Sequence, residues 1–213
     1  MSLIIPRSAP PPERRAEFLE KRREARDAAA FFARVCQEGR AELLDTTRQY
    51  IDDCGDDDAW RLAMAKVARL PRVSLEIQAA FIPIWVGSQS LPRRVGHRPT
   101  MAAALRVLMP GRYSGPPLVL YRAADTSERR RRTYGFSWTF EIDTARLFAG
   151  QIQPFQQGIG TFQCVIFKTL APAEAVLLIQ QREEYGEGEV VVDPYRLRKV
   201  EIVERRTIRV VPS

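Results

Sequence analysis

Apolar residues recur at helical spacing through the first half of the chain and at strand spacing through the second. Between 13 and 36, Phe18, Ala25, Ala28, Phe32, Val35 and Cys36 fall three, four and seven apart, with Arg and Glu between them. That spacing predicts an amphipathic helix whose apolar stripe is core. Gly39 weakens the run, and Leu43, Leu44 and Ile51 continue an apolar face. Cys54-Gly55-Asp56-Asp57-Asp58 reads as a turn into an acidic helix start, where carboxylates meet the positive end of the helix dipole. Trp60, Met64, Val67 and Leu70 form the next stripe, ended by Pro71. Ser74 is a candidate cap for a segment carrying Leu75, Ile77, Ala80, Phe81 and Ile84, and Thr100 for a short helix over 101–109. Glu17 and Lys21, and Glu20 and Arg23, stand at helical-neighbour spacing and are expected to pair on a solvated face.

From Pro116 the period shortens. Residues 117–123 and 134–140 read as strands around a charged loop, 125–132, that holds Arg129–Arg132. Asp143 is a candidate cap for a short helix over 144–149, with Ala145, Leu147 and Phe148. A loop rich in Gln and Gly follows to 160. Strands are expected at 161–170, 175–180 and 190–193, then at 197–203 and 207–211, the last two joined by a turn at Glu204-Arg205-Arg206. The pattern predicts an α+β protein: a proline-rich arm over 1–12, a helical region over 13–112 and a β-rich domain over 113–213.

Composition narrows the chemistry. At 45% apolar residues the 213-residue chain has enough for a packed core. The net charge of +7 comes almost wholly from arginine, since only Lys21, Lys66, Lys168 and Lys199 are lysines. Arginine's planar fork suits anionic ligands and partners. Cys36, Cys54 and Cys164 include no C-x-x-C pair, which argues against a disulfide scaffold or a zinc site. The single histidine, His97, lies in a basic stretch without a recognisable triad partner, so histidine-dependent catalysis is not expected. The apolar start over 1–5 is stopped by Pro6 and Arg7 before a signal peptide could form, and no run approaches a membrane span. The expected location is the cytoplasm, or a target cell reached without a classical signal peptide.

Against this background, Glu187-Gly188-Glu189 stands out, because residues two apart at the start of a strand share a face. Two carboxylates can then serve one cleft. Upstream, Arg122 closes the first strand of the β-rich half, and Ser137-Trp138-Thr139 lies in the second. In this order the three motifs resemble the mono-ADP-ribosyltransferases of the arginine–serine–glutamate, cholera-toxin-like class. That family's pattern is a strand-borne Arg, then Ser-x-Ser or Ser-x-Thr, then Glu-x-Glu or Gln-x-Glu. Thr139, Ala145, Phe148 and Ala149 also resemble its strand-to-helix step. The resemblance spans roughly 116–211 and leaves the helical half uncovered.

The resemblance implies an ADP-ribosyltransferase-like split-sheet domain with NAD as substrate and no metal. It assigns Glu189 to the nicotinamide ribose, where a carboxylate stabilises an oxocarbenium-like state and holds the 2′-hydroxyl. Glu187 would take the acceptor's proton. Ser137 would orient Glu189, Thr139 would support the strand, and Arg122 would hold the NAD phosphates and brace the site. Phe155 is a candidate cover for the nicotinamide. Tyr185 is a candidate for target recognition, although the family's aromatic position is held here by Glu184. Trp138, alternating with Ser137 and Thr139, is expected in the core.

The implied partner is a macromolecular acceptor, with protein arginine favoured by the Glu-x-Glu form and nucleic acid left open by the basic charge. A toxin or effector role would add a cognate antitoxin or immunity partner. Two alternatives stand beside this: an NAD glycohydrolase on the same fold, and a non-enzymatic basic protein that binds nucleic acid.

Overall fold

The computed structural model describes residues 12–55, 58–88, 90–111, 113–151, 160–180 and 188–210. The chain divides into two compact units, Met1–Leu108 and Met109–Ser213. The first contains helices α1 (Pro12–Glu38), α2 (Leu44–Asp53), α3 (Ala59–Val67), α4 (Leu75–Gly87), α5 (Leu91–Val95) and α6 (Arg98–Leu108). The second runs β1 (Leu118–Asp125), α7 (Thr126–Arg131), β2 (Ser137–Thr139), α8 (Ile142–Gln151), β3 (Gly160–Ala171), β4 (Val176–Ile179), β5 (Glu189–Val192) and β6 (Val200–Val210). The fold is α+β, with a helical first half. Among the described residues no helix is long and apolar enough to cross a membrane.

In the helical unit the expected stripe holds only from Ala25 onward. Ala25, Ala28, Phe32, Val35 and Cys36 are buried, and Phe32 meets Trp60 of α3 edge-on at 5.6 Å. Phe18, expected in the core, is instead 57% exposed, with the guanidinium of Arg22 over its ring. The spacing recorded an apolar face there, but the neighbouring helices pack only on the later turns. The ion pairs expected on this helix form, Lys21–Glu17 at 3.0 Å and Arg23–Glu20 at 2.6 Å. Burial pushes the Cys36 thiol pKa up to about 12.

Two caps were expected here. Ser74 caps α4, its Oγ accepting from Ile77 N at 3.3 Å. Thr100 does not cap α6, which already begins at Arg98; its backbone N–H donates to His97 Nδ1 at 3.3 Å. Asp52, on α2, ties three side chains of this unit together. Asp52 accepts from Trp60 Nε1 at 2.8 Å, Arg94 Nη1 at 2.5 Å and Arg48 Nη1 at 2.9 Å.

The second unit is built on one six-stranded antiparallel sheet in the order β4-β5-β2-β1-β3-β6. β1 and β3 pair from Leu118↔Ala171 to Asp125↔Cys164. β1 and β2 meet at a single pair, Tyr121↔Thr139. Among the described residues it is the one ladder pair between a β4-β5-β2 half and a β1-β3-β6 half. One face buries Leu120, Ala124, Trp138, Phe167, Val190 and Val192. The other carries Tyr121, Ala123, Cys164 and Ile166 against Ile142, Ala145 and Ala149 of α8.

Four expectations change in this unit. The charged loop contains a helical turn, α7, because Asp125 caps it by accepting from Ser127 N at 2.7 Å. The Ser127 hydrogen bonds hold the Asp125 carboxyl below its ordinary pKa. β2 is confined to 137–139, since Gly135 is engaged by side chains instead of by a ladder. α8 begins at Ile142, so Asp143 sits in its first turn, paired with Arg146 at 2.7 Å. Finally, the turn expected at Glu204-Arg205-Arg206 is absent and β6 runs unbroken from Val200 to Val210. The register steps at Val203 where Ile166↔Glu204 gives way to Phe167↔Ile202. β6 is an edge strand, and charged residues on an edge discourage pairing with other chains.

Candidate active site

The β5 strand, second in the sheet order between β4 and β2, opens with Glu189. Gly188, immediately before it, has φ +60, a left-handed conformation that glycine adopts without steric cost. β5 pairs with β2 through Ser137↔Val191, Trp138↔Val190 and Thr139↔Glu189. Directly opposed residues in an antiparallel pair share a face. Glu189, Thr139 and Ser137 therefore project to one side of the sheet, the side that carries Tyr121 and α8. Trp138 projects to the other, where it is 2% exposed in the core, as its alternation with Ser137 and Thr139 required.

Ser137 and Glu189 are half-buried, whereas Thr139 is 6% exposed. Thr139 Oγ1 accepts from Glu141 N at 3.3 Å, which fixes the turn from β2 into α8. This hydroxyl shapes the backbone under the site and offers little surface to a ligand.

Arg122 occupies a different position from the other three. It alternates with Leu120 and Ala124 and pairs with Phe167, so it leaves β1 on the Trp138 side. It reaches the site through the backbone: Nη1 donates to Ser137 O at 2.7 Å. That carbonyl lies where the β1–β2 ladder has ended, so the guanidinium supplies a bond that the neighbouring strand does not. Nη2 stands 3.5 Å from Glu128 Oε1, and Glu128 Oε2 accepts from Gly135 N at 3.2 Å. A Cβ at Gly135 would come within 2.2 Å of Arg122 Nη2, so the close packing of backbone on guanidinium requires glycine. The geometry of Arg122 is that of a brace, and its charge faces Glu128.

One site residue was missed from the sequence. The backbone N–H of Gln180, at the end of β4, donates to Glu189 O at 2.8 Å. Gln180 is thus the cross-strand neighbour of Glu189 and shares its face. It is 5% exposed, and its Nε2 is buried without a hydrogen-bond partner. Alternation from buried Val176 would have put Gln180 on the Trp138 side. A register shift between Val176 and Leu178 turns it to the other.

Glu187, Tyr185 and Phe155 lie outside the described residues. Among those described, no group of three or more His, Cys, Asp and Glu side chains is placed to hold a metal ion. No protein-family model, curated protein or solved structure matches the chain.

Proposed function

We propose that the chain is a mono-ADP-ribosyltransferase that transfers ADP-ribose from NAD to a macromolecular acceptor. The observation that carries this reading is the convergence of three motifs distant in sequence. Glu189 is paired directly with Thr139, Ser137 stands on the same face, and the Arg122 guanidinium holds the Ser137 carbonyl. The single-pair junction between β1 and β2 also supports the expected split-sheet character of this domain.

The residues fit the substrate in kind. A carboxylate beside a hydroxyl, on a face partly open to solvent, suits a ribose and the positive charge that develops as the glycosidic bond to nicotinamide breaks. Glu189 stabilises that charge and accepts a hydrogen bond from the ribose 2′-hydroxyl. Ser137 orients the Glu189 carboxylate. Thr139 and Arg122 hold β2 in place, one through the turn into α8 and the other through the Ser137 carbonyl. Glu187 is assigned to the acceptor's proton on the motif alone. Protein arginine is the favoured acceptor.

The test is nicotinamide release from NAD by the purified full chain. Wild type is expected to release it, and Glu189→Ala to lower the rate by about 10²–10⁴-fold. Equal, slow release by both proteins would sink the proposal. Labelled NAD added to lysate, with and without nuclease, then reports the acceptor: label on protein, label on nucleic acid, or free ADP-ribose as a glycohydrolase would give.

A further inference from the structure

Buried polar groups in folded proteins are almost always hydrogen-bonded, and an exception calls for a cause. Gln180 is such an exception in a telling place. Its backbone N–H is satisfied by Glu189 O at 2.8 Å, yet its side-chain Nε2 is buried with no partner. The side chain is 5% exposed and shares a sheet face with the carboxylate of Glu189. A sequence that only needed to fill this position could have used an apolar residue, as it does at Leu178 and Ile179 immediately before it in β4. Departures of this kind from local consistency are expected at functional sites.

We propose that Gln180 is a ligand-binding residue whose Nε2 donates to a ribose hydroxyl oxygen adjacent to the hydroxyl held by Glu189. This rests on the reading of the site as NAD-cleaving and adds a specificity contact to it. The two side chains offer complementary chemistry, an anionic acceptor and a neutral donor. Directly opposed strand residues hold their Cβ atoms about 4.5–5.5 Å apart. That spacing lets two side chains converge on the neighbouring oxygens of a cis-diol. Glu189 accepts from the 2′-hydroxyl, and Gln180 donates to the 3′-oxygen. A site built to bond a hydroxyl rejects the analogue that lacks it, because the buried donor is then left unpaired again.

The test uses Gln180→Met, which keeps the length and volume of the side chain and removes the donor. Two measurements are made on the full chain. The first is the melting temperature without ligand, expected to equal or exceed wild type because an unpaired buried donor has been removed. The second is kcat/KM for NAD and for NAD lacking the 3′-hydroxyl of the nicotinamide ribose. Wild type is expected to prefer NAD by about 10–100-fold, and Gln180→Met to show nearly equal values through a raised KM for NAD. A melting temperature several degrees below wild type would overturn the proposal, since Gln180 would then be a structural partner. Unchanged discrimination in Gln180→Met, with Glu189→Ala inactive, would overturn this inference and leave the NAD-cleaving reading intact. Absence of NAD cleavage by wild type would overturn both.

Discussion

Gly135→Ala separates the brace at Arg122 from its surroundings. The added Cβ would stand 2.2 Å from Nη2, 2.3 Å from Cζ and 2.7 Å from Nε of Arg122. The guanidinium is the far end of a flexible side chain, so it will swing away while the backbone stays. The cost is what the swing undoes. The bond from Nη1 to Ser137 O, 2.7 Å long and charge-assisted, is worth about 1.5–3 kcal/mol. The part-buried pair with Glu128 at 3.5 Å adds up to about 1 kcal/mol. Gly135 is not among the glycines with positive φ, so alanine also stabilises by restricting the unfolded chain, by about 0.4–1 kcal/mol. The expected net loss is about 1–3 kcal/mol, or a melting point lower by roughly 5–20 °C for a unit of this size. Urea denaturation followed by fluorescence reads it, because Trp138 is the only tryptophan in the Met109–Ser213 unit. In an Arg122→Ala background the same substitution should cost nothing and can even stabilise. NAD turnover should fall in Gly135→Ala, since Ser137 loses its anchor. A loss under about 0.5 kcal/mol, or the same loss with and without Arg122, would refute the reasoning.

Two further outcomes concern the helical unit. Cys36 is buried with its pKa raised from 9.0 to about 12, so above pH 9 the unfolded chain loses a proton that the folded one keeps. Stability should therefore fall with rising pH between those values, by about 1.4 kcal/mol per pH unit at most. Subtracting the profile of Cys36→Ala isolates this slope, and identical slopes in the two proteins would show that the thiol is not its source. Asp52→Ala strips the acceptor from buried Trp60 Nε1 and from two arginines, and should cost about 2–4 kcal/mol in urea denaturation. Asp52→Asn, which keeps a neutral acceptor for the indole, should cost about half as much; equal losses would mean the indole bond contributes little.

Much of the fold was legible because apolar spacing reports directly on burial. The stripes at Ala25–Cys36 and Trp60–Val67, the Ser74 cap, and the alternation that sends Trp138 into the core all follow from local period and local hydrogen bonding. Phe18 was not legible, since a helix records which face is apolar but not how far along it a neighbour packs. The unbroken β6 was hidden for a related reason. Glu204-Arg205-Arg206 has the composition of a turn, and only its place at the sheet edge makes those charges ordinary strand residues.

The candidate site divides in the same way. The sequence by itself determined its chemistry: an arginine on one strand, Ser137 and Thr139 two apart on the next, and Glu189 opening a third; only the structure showed that β1 runs on past Arg122 to Asp125. It also determined that Ser137 and Thr139 share a face, because strand parity is local. The tertiary structure alone decided which strand lies beside which, and so set Glu189 opposite Thr139. It put Arg122 on the reverse face, reaching the site through the Ser137 carbonyl. It also brought Gln180 to the side of Glu189, through a register shift that reverses the parity β4 would otherwise keep. Register is fixed by partners far away in sequence, and one inserted residue exchanges the two faces of a strand.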